Sequence, residues 1–183
     1  MEDLLQISKA LAAVRHHLLL VVINSKQKGQ IAELIATMAL REPFSIVAGS
    51  EWLPLYDVAR HLSYQTNDFK HVMDQVRLAR AFTCYQLLDI LNHTPPVREP
   101  LLVVNGLHPF YEVDVQPDVR SRVLEACVRR LDDLSYARPI AVIVEHEEAV
   151  EYETYFPKLA AIADRILPLI DPEEEPVQQL RMF

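Results

Sequence analysis

Residues 24 to 31 read Asn-Ser-Lys-Gln-Lys-Gly-Gln-Ile, directly after the apolar run Leu18 to Ile23. Their position invites comparison with the phosphate-binding pattern GxxxxGK[ST]. In that pattern the glycines let backbone N–H groups wrap phosphate, the lysine reaches the outer phosphates, and the hydroxyl holds magnesium. Only the second glycine is kept, as Gly29. Asn24 stands for the first glycine, Gln30 for the lysine and Ile31 for the hydroxyl. A second apolar run, Leu101 to Val104, ends in Asn105, where a magnesium-binding aspartate would be expected. The candidate remnant phosphate loop is therefore Asn24, Lys26, Lys28, Gly29 and Gln30, with Lys26 and Lys28 as its only cations.

These residues need a strand, a turn and a helix to hold them. Leu18 to Ile23 is continuously apolar, as a strand covered on both faces should be. Lys28 to Leu40 has helical periodicity, with Ile31, Leu34, Ile35 and Met38 on one face. The same alternation continues: strands over Phe44–Ala48, Gln75–Ala81, Leu101–Val104, Ile140–Val144 and Ile166–Ile170; helices over Trp52–Leu62, Asp68–Met73, Thr83–Asn92, Pro117–Leu134 and Tyr155–Ala163. Glu2–Arg15 reads as an N-terminal helix. Residues 171–183 read as an acidic linker followed by a candidate edge strand over Gln178–Phe183. Strands alternating with helices through short loops predict one α/β domain over residues 1–183, three layers deep, around a mostly parallel sheet. The three glycines, Gly29, Gly49 and Gly106, each follow an apolar run, and in such sheets the ligand crevice lies at the carboxyl ends of the strands.

Bulk properties narrow the function classes. With 183 residues, half of them hydrophobic, the chain can bury a sizeable core. A formal net charge of −8 argues against sequence-blind binding to nucleic acid or anionic lipid. Cys84 and Cys127 lack metal or redox spacing and are expected to be reduced core residues. His16, His17 and His108 show no metal-ligand spacing, so no metal or other cofactor is expected. No basic leader precedes the first apolar run, and no run approaches the roughly 20 residues of a membrane span. A cytoplasmic location, or a nuclear one in a eukaryote, is the corresponding expectation.

The order of these segments resembles the ATPase core of the RecA/RadA recombinases and their paralogues, from about Leu18 to Ile170. Val76–Phe82, VRLARAF, and the helix that follows it carry the most specific likeness. Glu51–Leu62, EWLPLYDVARHL, resembles the segment after the family's second strand. LLVVNGLHPFYEVDV resembles its second nucleotide motif and first DNA-facing loop, and Ala163–Leu169 a late strand. The resemblance implies a RecA-like fold. It also implies a water-activating glutamate, whose position falls on Ser50, with Glu51 one place away.

The departures carry the functional expectation. Clamp lysine, magnesium hydroxyl and aspartate positions are occupied by Gln30, Ile31 and Asn105. Each loss of a preorganised group typically costs about 10²–10³ in rate. The segment matching the second DNA loop, EHEEAVEYETYF, has five glutamates, and no Lys or Arg lies between Arg138 and Lys158. The expectation is a pseudo-ATPase that binds DNA weakly or not at all alone. It would work by contact with another RecA-like chain or with itself in a recombination or repair accessory complex. The alternatives are a nucleotide sensor without hydrolysis and a deviant ATPase using Lys26 or Lys28 with Glu51. Trp52, Phe110, Tyr111 and Phe183, large aromatics in loops or at the terminus, are the candidate interface residues.

Overall fold

Alternate residues of Leu18–Ile23 (β1) feed two separate apolar clusters. Leu18, Leu20 and Val22 enter one, and Leu19, Val21 and Ile23 the other. A strand buried on both sides demands helices on both sides, and that demand sets the architecture. The computed structural model describes residues 18–24, 27–50, 53–111, 115–146 and 150–168. After β1 come α1 (Lys28–Ala39), β2 (Phe44–Ala48), α2 (Leu55–Gln65), α3 (Phe69–Asp74) and β3 (Val76–Arg80). Then follow α4 (Cys84–His93), β4 (Leu101–Val104), a 3₁₀ turn (His108–Phe110), α5 (Pro117–Ser135), β5 (Ile140–Glu145), α6 (Val150–Ala160) and β6 (Arg165–Pro168).

The six strands form one sheet in the order β3-β2-β4-β5-β1-β6, and every pairing is parallel. Helices α1, α2 and α3 cover one face, through Ile31, Leu34, Ile35, Val58, Leu62 and Val72. Helices α4, α5 and α6 cover the other, through Leu87, Leu91, Leu124, Cys127, Leu131, Tyr155 and Leu159. The molecule is thus a three-layer α/β fold with a RecA-like arrangement of a parallel sheet between helices. Among the described residues no helix is long and apolar enough to cross a membrane.

Several boundaries differ from the sequence expectation. Helix α2 runs from Leu55 to Gln65 instead of Trp52 to Leu62. Pro54 is its N-cap, and the Pro54 carbonyl accepts the Val58 N–H at 3.0 Å. Helix α6 begins at Val150 and runs through Pro157, so the acidic stretch expected as a loop is partly helical. Strand β6 starts at Arg165, fixed by Asp164: its carboxylate accepts the Leu18 N–H at 2.8 Å and its own N–H donates to the Leu18 carbonyl at 2.9 Å. Thr83 caps α4 as expected, its hydroxyl accepting the Gln86 N–H. The N-terminal helix, Lys26, Trp52 and residues 169–183, with Phe183 and the candidate edge strand, lie outside the described residues.

Arg138, only 1% exposed, ties the amino ends of the central strands together. Its guanidinium donates to the carbonyls of Pro95 and Pro100 at 3.2 and 3.0 Å and to Ser45 Oγ at 3.3 Å. Burial pushes its pKa down to about 10, the expected response of a desolvated cation held by carbonyls rather than by a contacting carboxylate. This end of the sheet is structural. The opposite end holds the residues whose chemistry the sequence singled out.

Candidate functional site at the carboxyl ends of the strands

Ligand crevices in open parallel sheets form where adjacent strands send their connections to opposite faces. This sheet has such a switch between β1, which leads to α1 on one face, and β5, which leads to α6 on the other. It has another between β2 and β4, whose connections likewise diverge to α2 and α5. At both, described groups of the chain itself make contacts with one another.

At the first switch, Asn24 and Gln27 close the turn after β1 on itself. Gln27 N–H donates to Asn24 Oδ1 at 3.2 Å, and Asn24 N–H donates to Gln27 Oε1 at 2.8 Å. The exchange has the reciprocal form of a capping box, one turn ahead of α1, whose N-cap is Gln27. A phosphate loop would instead aim such donors at a ligand. Lys28, at the start of α1, reaches across to β5 and pairs with Glu145 at 2.9 Å. Both side chains are largely covered, at 33% and 18% exposure. Strand β5 extends along β1 to this point, with Ile23 beside Glu145 and the His146 N–H donating to the Ile23 carbonyl at 2.7 Å. The candidate loop residues therefore have different fates. Asn24 and Lys28 serve the chain itself, Gly29 and Gln30 are exposed in the first turn of α1, and Ile31 is wholly buried in the core. An added Cβ on Gly29 would meet nothing within 4 Å, so this glycine is not required by any close approach among the described atoms.

At the second switch the backbone is tighter. Asn105 directly follows β4 with φ 54°, the one positive-φ non-glycine residue among those described. Asn tolerates this left-handed conformation better than most residues. A Cβ on Gly49 would run into the Asn105 carbonyl oxygen and reach Pro109 Cδ at 3.0 Å, so only glycine fits there. The Asn105 amide donates to Ser50 Oγ at 3.0 Å, joining the two positions expected to hold a magnesium ligand and a water-activating carboxylate. Neither is an acid. The other amide atom, Asn105 Oδ1, is buried and accepts no hydrogen bond.

Between the two switches lies a cavity of about 10 Å³ lined by Asn105, Leu107, His108, Tyr111 and Glu145. That volume is about one water molecule's worth. Of the four proposed interface aromatics only Tyr111 lines this cavity, and Phe110 is a correction to the expectation. It is fully buried, packs edge-on to Tyr155 at 6.1 Å between centroids, and belongs to the core under α5 and α6. Tyr111 is half-buried against the same core and stacks obliquely on His108. Among the described residues the aromatics that do reach solvent are Tyr56 and Tyr64 on α2, Phe69 on α3, Tyr85 on α4, Phe82 before it and Tyr136 after α5. Sequence reasoning passed over the α2 pair because an aromatic inside an amphipathic helix reads as core.

Neither Cys84 nor Cys127 forms a disulfide, and both are buried in the core. Burial, reinforced by Cys84, pushes the Cys127 thiol up to about 12, which keeps it protonated and unreactive at neutral pH. Among the described residues no group of three His, Cys, Asp or Glu side chains is placed to hold a metal ion. No family model matches the chain, and no curated protein matches it.

Proposed function

We propose that the protein is a non-catalytic RecA-like module, a pseudo-ATPase that acts through protein contact in a DNA recombination or repair accessory complex. The observation that carries this reading is the Lys28–Glu145 pair. It commits the nearest described cation of the remnant loop to a carboxylate across the crevice in which a nucleotide's phosphates would lie. The burial of Ile31 and the amide of Asn105 support the same conclusion, since neither supplies an anionic magnesium ligand. The partner, a RecA-like relative or a second copy, comes from the resemblance of the sequence and is an analogy at the level of fold. The net charge of −8 and the glutamates after β5 favour weak or absent binding to single-stranded DNA alone. A cytoplasmic or nuclear place of action fits this reading.

A thermal-shift titration with Mg-ATP, run beside a labelled-ATP turnover assay, tests it. A binder present at a hundredfold excess over its Kd would stabilise the fold by about 2.7 kcal/mol and raise the melting temperature by several degrees. The expected result is no shift at millimolar Mg-ATP and no turnover. A rise of several degrees without turnover would move the protein to the sensor class, and turnover would make it an ATPase.

A further inference from the structure

We draw no further inference here: the strongest candidate, the exposed apolar surface of Leu78, Phe82 and Tyr85 along the free edge of β3 and the start of α4, carries none because nothing in the structure shows what covers it.

Discussion

The turn after β1 and the turn after β4 lie at the same end of the sheet on either side of β5, yet they are built by opposite means. The first is relaxed: reciprocal side-chain-to-backbone bonds between Asn24 and Gln27, a glycine with open space around it, and an ion pair to Glu145. The second is tight: Asn105 in the left-handed region, a glycine that nothing larger could replace, and a buried acceptor without a partner. In the first turn the described side chains turn inward and satisfy the Asn24 and Gln27 backbone donors. A turn that holds strain and an orphaned acceptor retains a capacity for interaction. The remnant loop found by motif is thus the quieter of the two, and the more consequential residue is Asn105.

Substitutions can break or sharpen this contrast. Phe110→Ala should have the largest effect, about 3–5 kcal/mol lost in urea unfolding, as for a fully buried aromatic. A loss below about 1 kcal/mol would return Phe110 to the surface and revive it as an interface residue. Gly49→Ala should cost about 1–3 kcal/mol, because the methyl group meets the Asn105 backbone rather than a flexible side chain. Glu145→Gln, which breaks a partly covered ion pair, should cost about 1 kcal/mol or less. Gly29→Ala should gain about 0.5–1 kcal/mol, since alanine suits a helical turn with open space around it. Destabilisation by Gly29→Ala together with tolerance of Gly49→Ala would reverse the assignment of the tight and relaxed turns.

The sequence made the sheet legible and the crevice much less so. Strands β1, β2 and β4 run between the expected residues because each is a short apolar run closed by turn formers, a signal that is local. Helix α2 was displaced by three residues at its start because Pro54 fits either a first turn or a cap, and sequence does not separate them. The substitution of Gln30 and Ile31 was visible, and burial of Ile31 follows from the same helical face that placed Leu34 and Ile35. The Lys28–Glu145 pair was not visible. It depends on β5 lying next to β1, a consequence of topology rather than of any nearby residue. Phe110 illustrates the same limit: a loop aromatic carries no local sign of whether it folds under the helices or faces solvent. Tyr155, which receives it, lies on another helix.

The central claim is that the crevice at the carboxyl ends of β1 and β5 is closed to nucleotide by the chain's own groups. Calorimetric titration of the full chain with Mg-ATP measures this most directly. The account predicts no saturable heat at millimolar nucleotide. Saturation in the micromolar range, with one nucleotide per chain and loss of binding in a Lys28→Met variant, would contradict it, because Lys28 would then be a phosphate ligand and not the partner of Glu145.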